Sequence, residues 1–167
     1  EQETAVGKRK ADRRANIIAD MNRDAARLVL KDTRYRSPFG DGGTSKDKTT
    51  TAQDLCSLAF QVMQNPEFRK IVASREYSGT VRQADGQQRT QLWENSNQLL
   101  ALGQGFDGIK TGVTRSAGSC LLSRGRDSEG RVFIIVVLGS DSTKARFADT
   151  RNLFDWASRM SGMGGKR

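Results

Sequence analysis

The sequence contains no histidine. Imidazole general bases, Ser-His-Asp triads and His-ligated zinc are excluded with it, so proton transfer would fall to Lys, Asp, Glu or Tyr. Cysteine is scarce: Cys56 and Cys120 lie far apart, in no CxxC or zinc-type spacing, and read as two small buried apolar residues rather than metal ligands or a redox pair. No metal or cofactor is expected. Apolar runs are short, none approaching the ~18–20 residues that cross a bilayer, so no transmembrane helix is expected. The chain opens on Glu1 with neither an initiator Met nor a signal-type apolar stretch, which reads as a processed chain or a piece of a longer one.

The 167 residues suit one domain, able to hide roughly 70% of its unfolded surface without staples. The net charge of +9 is unevenly spread: +4 over residues 1–50, zero over 51–105 and +5 over 106–167. Its densest cluster is Lys8, Arg9, Lys10, Arg13 and Arg14, with no aromatic residue before Tyr35. Lacking interleaved aromatics or a recognised motif, this cluster reads as a solvated helix face, and no specific nucleic-acid partner is expected.

Periodicity organises the chain. Ile17, Ile18, Met21, Ala25 and Leu28 make one helical stripe within Arg13 to Leu30. Turn chemistry comes next, at Ser37-Pro38-Phe39-Gly40 and at residues 41–44. A second helix starts at Thr51, with Asp54 as capping partner and Leu55, Leu58, Ala59, Val62 and Met63 on its face; Asn65-Pro66 ends it. Ile71-Val72 and Tyr77 to Val81 read as short extended pieces, with Asp85-Gly86 as a hairpin turn. Three strands complete the sheet: Phe106 to Gly112, a piece around Cys120-Leu121-Leu122, and Val132 to Leu138. The last is β-branched and apolar without alternation, as in a central strand covered on both faces. A final helix carries a Leu153, Trp156, Ala157, Met160 seam. The pattern is α+β, an antiparallel sheet of about three strands with helices packed on it. Residues 1–14 read as a basic, fraying end, 15–160 as the folded unit and 161–167 as a flexible tail.

The chemistry-bearing segment is Asp107-Gly108-Ile109-Lys110-Thr111-Gly112-Val113-Thr114, followed by Ala117-Gly118. Lys-Thr-Gly on a strand is one of three signature elements of penicillin-recognising serine acyl-transferases, with Ser-x-x-Lys and Ser-x-Asn. An edge strand ending in Gly admits an extended peptide as an added strand. The Lys ammonium offers fixed positive charge to a carboxylate, the Thr hydroxyl donates to it, and the next N–H serves an oxyanion.

An ordered series extends the likeness: Met21-Asn22, Ala25 to Leu30 and Thr33; Ser37 to Gly40; Thr51 to Leu55; Asn65 to Arg69; Trp93 to Leu100; Asp107 to Thr114; Ala117 to Leu121; Val136 to Gly139; then Arg146 and Leu153 to Trp156. From Ile17 to Met160 the chain resembles the low-molecular-weight penicillin-binding proteins that act as serine-type D-alanyl-D-alanine carboxypeptidases. The resemblance implies part of a penicillin-binding-protein/β-lactamase-like transpeptidase fold. It also implies that Lys110, Thr111 and Gly112 line the substrate strand, that the Val113 N–H is an oxyanion donor, and that Arg146 helps hold the substrate's terminal carboxylate. Asn95 and Asn97 read instead as turn and backbone partners. The implied substrate is a peptidoglycan stem peptide ending in D-Ala-D-Ala, cleaved through an acyl-enzyme, with β-lactams as ligands of the full-length protein and an extracytoplasmic location.

The departures are specific. Val29 stands where the family usually has Gly, Asp41 where it has Leu, and Ser119 where an aromatic is common; Val113 is smaller and more apolar than the residue often found after the triplet. No Ser-x-Asn occurs. The one Ser-x-x-Lys string, Ser45-Lys46-Asp47-Lys48, sits in a Gly/Thr-rich loop ahead of the second helix and is not the expected nucleophile. The expectation is therefore a C-terminal half-domain, inactive alone, whose catalytic Ser and Lys lie upstream of Glu1, with one sheet edge left bare. The rival expectations are a complete, non-catalytic binder of wall peptides or a partner, and a basic nucleic-acid-binding protein.

Overall fold

The computed structural model describes residues 2–40, 49–103 and 105–163. Helix α1 spans Gln2–Arg27, α2 Ala52–Val62 and α3 Pro66–Ala73; strands β1 (Glu76–Arg82) and β2 (Gln88–Glu94) form a hairpin; a 3-10 turn covers Gln98–Ala101. Then come β3 (Phe106–Thr114), β4 (Gly118–Arg126), β5 (Val132–Ser140) and α4 (Thr143–Met163). The α+β reading holds, with two sheets: the β1–β2 ribbon and an antiparallel β3-β4-β5 meander.

The meander is the core. On one face α4 lays Phe147 and Phe154 against Leu121, Ile135 and Val137, with Leu99 and Phe106 completing the cluster. Phe154 meets Phe106 at 5.0 Å and Phe133 edge-on at 5.7 Å. It sits over Gly125, where a Cβ would lie 2.8 Å from its ring, so glycine there is what lets helix and sheet close. Ala59 of α2 and its C-cap residue Met63 pack with Ile109, joined by Phe68 and Val72 of α3 and by Leu122 and Ile134.

Several expectations shift. Ile71-Val72 is helical: Asn65 accepts from the Glu67 and Phe68 N–H groups as an N-cap, and Pro66 occupies the first turn, so Asn65-Pro66 starts α3 as well as ending α2. Val132 to Leu138 is covered on both faces but is not central; β4 is, and β5 is the sheet margin among the described residues. The buried face of α4 is Arg146, Phe147, Thr150 and Phe154, whereas Leu153, Trp156 and Met160 form an exposed stripe. Thr150 is admitted because its hydroxyl donates to the Arg146 carbonyl at 2.7 Å. Residues 2–14, read as a fraying end, continue α1, and α4 runs past Ser161 to Met163. Asp41 and Ser45 to Lys48 lie outside the described residues.

Two side-chain clamps hold the loop after α1 to the helices on either side of it. Asn22 of α1 accepts the Tyr35 N–H at 2.8 Å and donates to its carbonyl at 2.8 Å. Asp54 of α2 accepts from the Asp32 N–H at 2.9 Å and the Thr33 hydroxyl at 2.7 Å, while Thr51 caps the Asp54 N–H at 3.2 Å. Only half of the expected capping box forms, because the Asp54 carboxylate serves the preceding loop. Burial, and secondarily the Asp54 charge, raises the Tyr35 hydroxyl above its ordinary pKa.

Candidate functional site

Among the described residues strand β3 is a sheet edge, so alternate backbone N–H and C=O groups along it face outward. The strand is held from behind at three points. The Gly108 carbonyl accepts from Asn97 Nδ2 at 3.0 Å and from Ser123 Oγ at 2.9 Å. Gly108 itself, at φ 138°, backs onto Val72, whose Cγ2 would lie 2.8 Å from any Cβ placed there. Arg146 Nη1 donates to the carbonyls of Gly112 at 3.1 Å and Cys120 at 3.3 Å. The Thr111 and Ser96 hydroxyls share a hydrogen bond at 2.6 Å.

Along this strand the side chains alternate in role. Lys110 is exposed, and its Nζ donates to the Thr111 carbonyl at 2.5 Å. No carboxylate pairs with it among the described residues, which leaves its charge available to an anion. Thr111 is buried against Ser96. Gly112 is exposed, with nothing within 4 Å of where a Cβ would stand, so a ligand backbone can approach it closely. Val113 is exposed as well. Lys110, Gly112 and Val113 thus make an open wall, with Thr111 turned inward between them. A concavity of about 640 Å³ lies elsewhere, by the margin of β5, lined by Leu28, Cys56, Phe60, Val132 and Ile134 among others.

Arg146 is brought to the triplet from the α4 side. It is buried, its guanidinium rests on the Phe147 ring at 4.8 Å, and its Nε has no partner. Its bonds go to backbone carbonyls of β3 and β4, so it struts the strand rather than lining the exposed wall. Asn95 and Asn97 are backbone partners, as their positions suggest: Asn95 donates to the Val72 and Ser74 carbonyls, and Asn97 accepts the Leu99 N–H.

At the near end of β3, Asp107 pairs with Arg124. Burial raises its carboxyl above the usual range and outweighs the opposing charges of Arg124, Arg126 and Arg69. Burial likewise pushes the Cys56 thiol up, which suits an inert thiol rather than a nucleophile. Sequence reasoning missed Ser96: a single hydroxyl three residues after Trp93 has no spacing signature, and only the fold brings it against Thr111.

Comparison with known proteins bears on the family and the fold. The profile of a family described as D-alanyl-D-alanine carboxypeptidase matches residues 5–142. The D-alanyl-D-alanine carboxypeptidase of Streptomyces sp. strain K15 is 32% identical over 154 residues, covering 90% of this chain and 51% of that protein. DacF of Bacillus subtilis is 28% identical over 142 residues, covering 84% of this chain and 34% of the relative. Among solved structures, the Streptomyces K15 DD-transpeptidase superposes with a TM-score of 0.76 at 32% identity, covering 83% of this chain and 52% of that one. Penicillin-binding protein D2 of Listeria monocytogenes, in a cefotaxime-bound form, gives 0.67 at 29% identity, covering 83% and 53%. The chain spans about half the length of the Streptomyces relative and about a third of DacF. With the family profile matched over most of its length, this chain belongs to the D-alanyl-D-alanine carboxypeptidase family.

Proposed function

We propose that these 167 residues supply the substrate-binding wall of a serine-type D-Ala-D-Ala carboxypeptidase acting on peptidoglycan stem peptides. The observation that carries the reading is the Lys110-Thr111-Gly112 edge: an ammonium with no carboxylate partner among the described residues, near a bare glycine on an edge strand strutted from behind by Arg146. An extended D-Ala-D-Ala end adds along β3 through main-chain hydrogen bonds. Its terminal carboxylate meets Lys110, and the Thr111 hydroxyl turns from Ser96 to donate to it. The Val113 N–H faces the oxyanion formed when the scissile carbonyl is attacked. Arg146 acts through Gly112, holding the strand in place and adding positive charge behind it.

The reaction is acyl transfer: a serine hydroxyl attacks the penultimate D-Ala carbonyl, terminal D-Ala leaves with a proton on its nitrogen, and water hydrolyses the ester. We assign the serine and its lysine to a segment other than these 167 residues, because no Ser-x-Asn occurs and the one Ser-x-x-Lys string, Ser45 to Lys48, belongs to a Gly/Thr-rich stretch of sequence. β-Lactams, which mimic the D-Ala-D-Ala end, bind the assembled protein on the same wall. A peptidoglycan substrate places the work outside the cytoplasmic membrane; no helix among the described residues is long and apolar enough to cross one.

Fluorescent penicillin tests the assignment. The isolated chain is expected to take no covalent label. A label that survives denaturation would place the nucleophile within these residues and overturn the division of labour proposed here.

A further inference from the structure

The β1–β2 hairpin has a face that neither core cluster uses. In its register Tyr77 lies opposite Trp93, Gly79 opposite Gln91 and Val81 opposite Arg89, so these six residues share one side of the ribbon. The Tyr77 and Trp93 rings stack at 5.8 Å and 27°. Gly79 is the reason they can lie down: a Cβ there would stand 3.0 Å from Tyr77 Cε1 and 3.4 Å from Trp93 Cζ3. The rings therefore cover bare backbone, yet Tyr77 is 67% and Trp93 47% exposed. One of the chain's two tyrosines and one of its two tryptophans are spent on this patch.

Its charge narrows the ligand. Residues 76–94 hold two arginines and three acidic residues in a chain of net +9, and both glutamates, Glu76 and Glu94, fall on the opposite side of the ribbon. Arg89 is the only charged residue on the ring side, beside the Gln91 carboxamide. A flat aromatic surface edged by an amide, in a nearly neutral segment, complements an uncharged, hydroxyl-rich ring with an apolar C–H face, and not a polyanion. The patch also continues into the substrate wall. Trp93 is three residues from Ser96, whose hydroxyl is bonded to Thr111, a reach of about 10 Å in extended chain.

We propose that the Tyr77–Trp93 face is a glycan subsite that stacks an N-acetylated amino-sugar ring of the strand carrying the stem peptide. The assignment rests on the peptidoglycan reading above and names the second half of the same substrate. A sugar on Trp93 and a D-alanyl end on Lys110 are then joined by the peptide lying between the two.

Calorimetric titration of the full 167-residue chain with chitotetraose, a tetramer of N-acetylglucosamine, tests it. The probe has no D-alanyl end, so its binding is independent of Lys110 and of penicillin labelling, and either reading can fail without the other. Saturable binding is expected. Trp93→Thr or Tyr77→Val, which keep β-branched residues in the ribbon, should each weaken it about five- to tenfold. Gly79→Ala, which pushes the Tyr77 ring aside, should weaken it without removing a ring, and Leu92→Ala on the opposite side should leave it unchanged. No saturable binding, or binding indifferent to Trp93→Thr and Tyr77→Val, would overturn the proposal; in that case the ring pair serves only to brace the ribbon.

Discussion

The meander and the hairpin are both antiparallel ribbons, and they differ in what lies against them. Strand β4 alternates buried and half-buried residues along nearly its whole length, gripped by α4 on one face and by α2 on the other. The hairpin buries no residue; its strands are exposed or half-exposed throughout. Strand pairing is common to the two, so the stability of the molecule comes from the covered meander, and the hairpin is free to be shaped by what it contacts. Strand β3 stands between these extremes, with Ile109 and Thr111 buried and Lys110, Gly112 and Val113 open. A cradle needs that combination: rigid on one side and accessible on the other.

Substitutions can break or sharpen this contrast. The largest effect is expected at Phe154→Ala, which empties the space between Phe106, Phe133 and Gly125 and should cost about 3–5 kcal/mol in urea unfolding. A loss below 1 kcal/mol would mean that α4 is not what secures the meander. Next comes a gain. Val29 sits at φ 58° just beyond the end of α1, where the Leu30 N–H bonds the Ala25 carbonyl and the Val29 N–H bonds that of Ala26, the hydrogen-bond pair of a glycine-type helix stop. The left-handed conformation costs an L-residue about 1–2 kcal/mol, while the added freedom of glycine in the unfolded chain returns part of that. Val29 is 66% exposed, so little burial is lost. Val29→Gly should therefore stabilise the chain by about 1 kcal/mol, read as a raised urea midpoint at unchanged slope. Smaller again is Tyr77→Val in the hairpin, which should cost under about 1 kcal/mol of global stability because the ring pair supports only the ribbon.

Acid should separate the regions too. Burial alone would raise the Asp127 carboxyl, but hydrogen bonds from the Arg131 side chain and backbone and from the Ser158 hydroxyl hold it below the usual carboxylate value. A depressed folded pKa means that this contribution is present above the unfolded value of about 4 and is lost as pH falls through the folded one. Melting temperatures of wild type and Asp127→Asn should therefore differ most near neutrality and converge toward pH 3. A constant gap would show that Asp127 acts through its shape and not its charge.

How legible the molecule is in its sequence depends on how many neighbours a feature needs. The β-branched run of β5 and the Asp85-Gly86 turn are local, and both stand where the pattern puts them. The phase of α4 is not local: Arg146 and Thr150 are buried because backbone carbonyls receive them, so a search for an apolar seam selects Leu153, Trp156 and Met160 on the exposed side. Asn65-Pro66 fits a helix end and a helix start equally well, which is why the pattern suggests extended chain where α3 stands. Lys110, Thr111 and Gly112 are visible as a motif, whereas the Ser96 contact and the strut from Arg146 exist only once strands and helix are assembled. The exposed α4 stripe and the unpaired margin of β5 also predict self-association of the isolated chain. Sedimentation as a monomer with a sharp, reversible melt would contradict that.

The most direct measurement titrates the 15N-labelled chain with an N-acylated D-Ala-D-Ala peptide and follows backbone amide shifts. The largest perturbations are expected at Lys110 to Val113, lost in Lys110→Ala and absent with the L-Ala-L-Ala analogue. Shifts concentrated on α1, or equal in wild type and Lys110→Ala, would contradict the placement of the substrate on β3.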